Sequence, residues 1–147
     1  MEETREVKGT WDVSTFNFRI EGTGLRRMLS GMKDAKLIGV KCPKCGMVYL
    51  PGSFNCRKCH IEIDEAVEVS DHGEVMTYTI GYADVRGNPL EEPRISVIAK
   101  FDGCDAWIMG AVEGVKPEDM HVGMRIKVNW AENRTGSLQD MEYFIPE

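Results

Sequence analysis

From Glu74 to Ala83 the chain alternates, with Met76, Tyr78, Ile80 and Tyr82 on one face and Val75, Thr77 and Thr79 on the other. Period two predicts a strand. Ile61, Ile63, Val67 and Val69 lead into it through a turn at Asp71-His72-Gly73. Arg86-Gly87-Asn88-Pro89 marks a loop, and Ile95 to Phe101 reads as the next strand. Asp102-Gly103 turns it into Ala106 to Val112. Lys116-Pro117-Glu118-Asp119 has the proline and acids of a helix start. Gly123 opens a strand from Met124 to Trp130, and a final one spans Gln139 to Ile145. Five short strands and one brief helix predict an OB-fold-like five-stranded barrel, with other small barrels as alternatives.

The pattern nearer the N-terminus differs. Trp11 is followed by Phe16, Phe18 and Ile20 at alternating positions, then by Gly22 and Gly24. Leu25, Met28, Leu29 and Met32 recur at i, i+3, i+4 and i+7, the apolar stripe of an amphipathic helix. Two readings of this stripe stand: it packs on the protein's own body, or it reaches a partner chain. Met28, Met32, Met109 and Met124 together would suit an adaptable contact surface. For Met109 and Met124, in strand patterns, ordinary core filling is the better reading. The chain divides into an N-terminal arm at 1–40, a cysteine-rich segment at 41–60 and a β block at 61–147.

The 147 residues are 42% hydrophobic and 29% charged, the range of a folded domain. No apolar stretch approaches the roughly 18 residues of a membrane span. Met1-Glu2-Glu3-Thr4-Arg5-Glu6 lacks the apolar core of a signal peptide, so a cytoplasmic setting is expected. The formal charge of −6 is uneven. Residues 1–65 hold 11 basic and 9 acidic groups, whereas residues 66–147 hold 7 and 15. Within 24–60, Arg26, Arg27, Lys33, Lys36, Lys41, Lys44, Arg57 and Lys58 face only Asp34. A basic segment attracts anions, while the acidic block repels phosphate backbones.

Four of the five cysteines form two pairs, Cys42-Pro43-Lys44-Cys45 and Cys56-Arg57-Lys58-Cys59, ten residues apart. Two such knuckles aim four sulfurs at one tetrahedral ion, and the expected ligands are Cys42, Cys45, Cys56 and Cys59. One Zn²⁺ per chain suits four thiolates, with iron as the alternative. Disulfides would need an oxidising compartment, and a thioredoxin-like pair accounts for only one Cys-x-x-Cys. Gly46 permits the turn after the first knuckle; His60 fills the matching place after the second, a less suitable residue there. Four thiolates close the shell, so the metal is read as structural and His60 is left out of it. The segment is too short to bury a core, so the ion supplies its folding free energy.

No separate catalyst stands out. Cys104 follows Asp102-Gly103 and precedes Asp105, where carboxylates disfavour a thiolate; it reads as a turn cysteine. His72 and His121 adjoin turn glycines. Neither a Ser-His-Asp set nor a phosphate-binding glycine loop is present in the sequence. The chain is not expected to be an enzyme on its own.

A helical arm, Cys42-Pro43-x-Cys45-Gly46, ten residues, Cys56-x-x-Cys59 and a barrel together resemble the acyl-CoA-associated zinc-ribbon/OB-fold accessory protein family over about residues 16–145. Gly73-Glu74-Val75 leading to Tyr78-Thr79, and Gly123-Met124-Arg125-Ile126-Lys127-Val128, look like its barrel signatures. Where that family carries Pro-Pro-Arg this chain has Pro51, Gly52 and Ser53. The resemblance implies a mainly β protein: a helical arm, a rubredoxin-like zinc ribbon and an OB-fold barrel. It also implies a small non-catalytic subunit of a thiolase-superfamily complex, beside a thiolase-like catalytic chain such as acetoacetyl-CoA thiolase or benzoylsuccinyl-CoA thiolase. Arg26, Arg27, Lys33, Lys41, Lys44, Arg57 and Lys58 are then candidate contacts for coenzyme A phosphates or for an acidic partner surface. Two other function classes compete. One is a single-stranded nucleic-acid binder, with Tyr78, Tyr82, Trp107 and Trp130 as stacking platforms; the other is a scaffold that touches no ligand.

Overall fold

Helix α1, Thr23–Met32, forms where the apolar stripe predicts it. The computed structural model describes residues 23–147; Trp11, Phe16, Phe18, Ile20 and Gly22 lie outside the described residues. Met28 and Met32 are buried, and Leu25 and Leu29 pack beside them against a core that includes Leu37 and Leu50. The stripe therefore covers the protein's own body, and neither methionine belongs to a contact surface. The first turn also lies on the loop before the third cysteine. A Cβ on Gly24 would come within 2.7 Å of the Gly52 backbone, and the reverse holds for Gly52. This contact explains a glycine where the resembling family carries its second proline.

A reverse turn, in which Gly31 O accepts from the N–H groups of Asp34 and Lys36, leads from α1 into β1, Leu37–Lys41. β1 is the centre of a three-stranded antiparallel sheet, between β2, Val48–Tyr49, and β3, Glu65–Val69. Val67 and Val69, grouped by their sequence pattern with the barrel, instead pair with Gly39 and Leu37. Their alternation was read correctly, but periodicity does not say which sheet a strand joins.

The remaining strands are β4, His72–Ala83; β5, Pro89–Phe101; β6, Ile108–Val112; β7, Arg125–Trp130; and β8, Met141–Pro146. They close a barrel in the order β4-β5-β6-β8-β7, with β4 returning to β7. This is a mainly β chain with one α-helix among the described residues. All pairings are antiparallel except β6 with β8, which meet in parallel through one pair, Val112 and Phe144. The brief helix expected at Lys116-Pro117-Glu118-Asp119 is a single 3-10 turn, Pro117–Asp119, before β7. Val75, Val97, Ala99, Phe101, Ile126, Val128 and Phe144 fill the interior, where the rings of Phe101 and Phe144 meet edge to face at 5.5 Å.

Three barrel details depart from the sequence pattern. β4 shifts register between Val75 and Thr77: Val75 pairs with Ala99, but Tyr78 pairs with Val97. The extra residue changes which face later side chains occupy, so Tyr78 and Ile80 share a side with the buried Val97 and Ile95 rather than opposing Val75. β5 begins at Pro89, not Ile95, and carries Pro93 within it. Met109 is 73% exposed on β6, whereas Met124 is buried, so core filling holds for only one of them.

Candidate metal centre

The two cysteine knuckles have the same backbone. Cys42 N–H donates to Met47 O and Gly46 N–H returns to Cys42 O; Cys56 N–H donates to Ile61 O and His60 N–H returns to Cys56 O. Gly46 and His60 both sit in the left-handed region, at φ of +77° and +54°. His60 is thus the structural counterpart of Gly46, a turn residue. The knuckle geometry folds each pair of sulfurs toward the other.

The Sγ atoms of Cys42, Cys45, Cys56 and Cys59 all lie within 4.8 Å of one another, with Cys42 and Cys56 buried and the other two half-buried. Sulfurs about 2.3 Å from a tetrahedral Zn²⁺ stand just under 4 Å apart, and Cys45 and Cys56 are separated by 3.6 Å. All five cysteines, Cys104 included, are free thiols.

The electrostatics of this donor set call for a cation. Burial, followed by hydrogen bonds to its three sulfur neighbours, pushes the Cys59 thiol up to about 12. The Tyr49 hydroxyl, 3.3 Å from Cys56 Sγ, holds Cys56 down at about 6, helped by the Cys59 N–H. Without a cation the four thiols cannot ionise together, whereas a divalent ion inverts that preference. The residues present fit one metal ion. Cys42, Cys45, Cys56 and Cys59 would hold it, with no position left for a reacting group.

Tyr49 had no sequence signal beyond its place near the first knuckle. Its ring is buried, its hydroxyl accepts the Arg57 N–H at 3.1 Å, and it packs with Val40, Ile63 and the cysteines in a small core of the ribbon's own. On the other side, Val48 and Leu50 join the core that runs through α1 and the barrel. The ribbon is also clamped to the β5–β6 hairpin. Val48 N–H donates to Asp105 Oδ2, and Asp105 N–H donates to Val48 O, both at 2.9 Å.

Cys104 sits inside this junction. It is 3% exposed, its thiol donates to Val48 O at 3.6 Å, and burial pushes that thiol up. Cys104 lies at the turn the sequence predicts, and it is a buried core member. The histidines lie at turns: His72 contacts the carboxylates of Glu147 and Asp71, and His121 contacts Asp119 O.

The basic candidates do not converge on one point. Arg27 is committed to Asp64, at 2.6 Å. Lys33 packs beside Gly136, and its carbonyl accepts from Arg134. Lys41 is half-buried on β1 and Arg26 is exposed on α1. Lys44, Arg57 and Lys58 are exposed on the knuckles themselves and form no salt bridge among the described residues. Among the described residues no helix is long and apolar enough to cross a membrane.

The architecture has known counterparts. A family model described as ChsH2, C-terminal OB-fold domain, matches residues 66–131. A DUF35 domain-containing scaffold protein of Methanocaldococcus jannaschii is 33% identical over 92 residues, which are 62% of this chain and 64% of that protein. The match thus spans less than two thirds of that relative's length. The crystal structure of a DUF35-family protein of unknown function from Sulfolobus solfataricus is 32% identical, with a TM-score of 0.62 over 69% of this chain and 74% of that one. The Ltp2-ChsH2(DUF35) aldolase shares the fold at 20% identity, with a TM-score of 0.59 over 82% of this chain and 91% of the other.

Proposed function

Because the chain belongs to the DUF35 family, we propose that it is a non-catalytic accessory subunit, held in shape by one structural Zn²⁺, of a thiolase-superfamily acyl-CoA enzyme. The observation that carries this reading is the closed four-sulfur cluster. It stabilises a ribbon too small to fold alone and leaves the metal no open position for substrate. The naming of the Methanocaldococcus jannaschii relative as a scaffold protein supports a supporting role. The thiolase class of the partner is inferred from the resemblance of helical arm, knuckles and barrel, the loop at Pro51, Gly52 and Ser53 being where the chain departs from it.

Claisen-type chemistry needs an activated cysteine and oxyanion donors. Cys104 is the described cysteine outside the cluster, and it is buried with its thiol pushed up. Chemistry is therefore assigned to the partner. Lys44, Arg57 and Lys58 supply positive charge at the tip of the ribbon, and we assign to them the attraction of coenzyme A phosphates or of an acidic partner surface.

Three measurements test the reading. Elemental analysis should find one zinc per chain, and affinity capture from the native cells should retrieve a thiolase-like protein. Thiolysis should need both chains. Folded protein with well under one equivalent of metal, or thiolysis by this chain alone, would overturn it.

A further inference from the structure

β4 has a partner on one side along most of its length and on the other side only at its start. It pairs with β5 from Gly73 to Ala83, with register shifts after Val75 and after Gly81, but with β7 only over His72–Glu74, followed by two bonds at Val75, whose N–H donates to Met124 O and whose carbonyl accepts from Gly123 N–H. Beyond Val75 no other described strand pairs with this edge. The residues along it, Val75 to Ala83, include no charge and no proline, and Tyr78 and Tyr82 are 36% and 62% exposed. The hairpin tip is firmly built. Asp84 Oδ1 accepts from Arg86 and Asn88 N–H at 2.8 and 2.9 Å, and Gly87 supplies the positive φ. This segment is a specified strand pair, not a loose loop.

The two outer edges of the hairpin are treated differently. β5 pairs with β6 only from Ile95 to Ala99, so its first half is also open, but there it carries Pro89, Glu91, Glu92 and Pro93. Prolines and charges block strand addition, and their absence invites it.

We propose that the free edge of β4 pairs antiparallel with the same edge of a second copy of this chain, giving a two-fold dimer. Three observations select a second copy as the occupant. An uncharged run meets itself without like-charge repulsion. Thr79 is the middle of the free residues Met76 to Tyr82, so a two-fold there sets Thr79 against its own copy and Tyr78 against Ile80 of the partner copy. On each side of the joined β4 strands, β5 is already paired with β6 opposite Thr77–Ile80, and its open stretch opposite Gly81–Ala83 carries the prolines and charges, so association closes at two and does not propagate. This inference goes beyond the accessory-subunit reading and stands or falls separately from it.

An edge this short lies at the low end of interface sizes, so dissociation on the order of 10 µM is expected. Sedimentation of the full-length chain should show a dimer at about ten times that concentration. T79K and T79E should each weaken the dimer tenfold or more. An equimolar mixture of the two should restore it, because opposite charges then face each other across the two-fold. Amide exchange of Thr77 to Tyr82 should slow as concentration rises, with circular dichroism unchanged in both variants. A chain that stays monomeric, a dimer insensitive to both charges, or a mixture that fails to recover would overturn the proposal. Slow exchange of these amides in a monomer would also do so, by placing another segment of the chain on the edge.

Discussion

His60 and Gly46 close identical turns with unequal ease. A side chain in the left-handed region costs roughly 1–2 kcal/mol, part of which glycine returns through its freer unfolded chain. His60→Gly is thus expected to stabilise the metal-loaded ribbon by up to about 1 kcal/mol, seen as slower zinc loss to a chelator. Gly46→Ala should act oppositely and by a similar amount. Spacing revealed the four-cysteine cluster because ligation of one ion would constrain residue identity and separation directly. Tyr49 stayed hidden, since its contact with Cys56 depends on how β2 folds back over the second knuckle. Cys104 was placed at its turn but not in the core, because burial there is created by Val48 from a distant part of the chain. Under native conditions, alkylation followed by mass spectrometry should therefore modify Cys104 last, after chelation has exposed the other four.

Among the elements, α1 was the most legible: a four-residue stripe at helical spacing has one way to be buried. The sequence left open what it is buried against, and Met32, with no exposed surface, answers that. Met32→Ala should cost about 2–5 kcal/mol in urea unfolding, the range for a large side chain cut from a core. Gly52→Ala should also destabilise, by about 1–3 kcal/mol, because the Gly24 backbone leaves no space for a methyl group. β4 was half legible. Its ends and turns were marked by glycine and aspartate, but a bulge consumes one residue without any compositional sign. The faces after Val75 were therefore misread. The start of β5 was missed for a related reason, since prolines that argue against a central strand are tolerated on an open edge.

At the scale of the molecule, helix and barrel share one core that Val48 and Leu50 of the ribbon enter beside the ribbon's own smaller core, and charged contacts fasten the surface. Arg125 grips Asp102 through two bonds, at 2.9 and 2.6 Å, tying the β5–β6 turn to β7. This contact holds the Asp102 carboxyl below its ordinary range; contact with His72, followed by Arg125, does the same for Glu147. Carboxyls lowered on folding contribute stability that is present above their unfolded values. That contribution is lost as pH falls through the folded ones. Urea midpoints should therefore hold steady near neutrality and drop below about pH 4, and Asp102→Asn should flatten that drop. Release of an ion held by the four cysteines in acid, as thiolates regain protons, would have the same sign; metal assayed alongside the midpoints separates the two.

The barrel wall is thinnest where β6 and β8 touch, side by side, through the single pair Val112 and Phe144, against three pairs between β4 and β7. A cylinder joined so narrowly has a seam. Heat or pulling force should part it along that line, leaving the meander β4-β5-β6 and the hairpin β7-β8 as two intact flaps. Across that seam the Phe144 ring lies directly over Gly110, so a side chain at position 110 should pry it open.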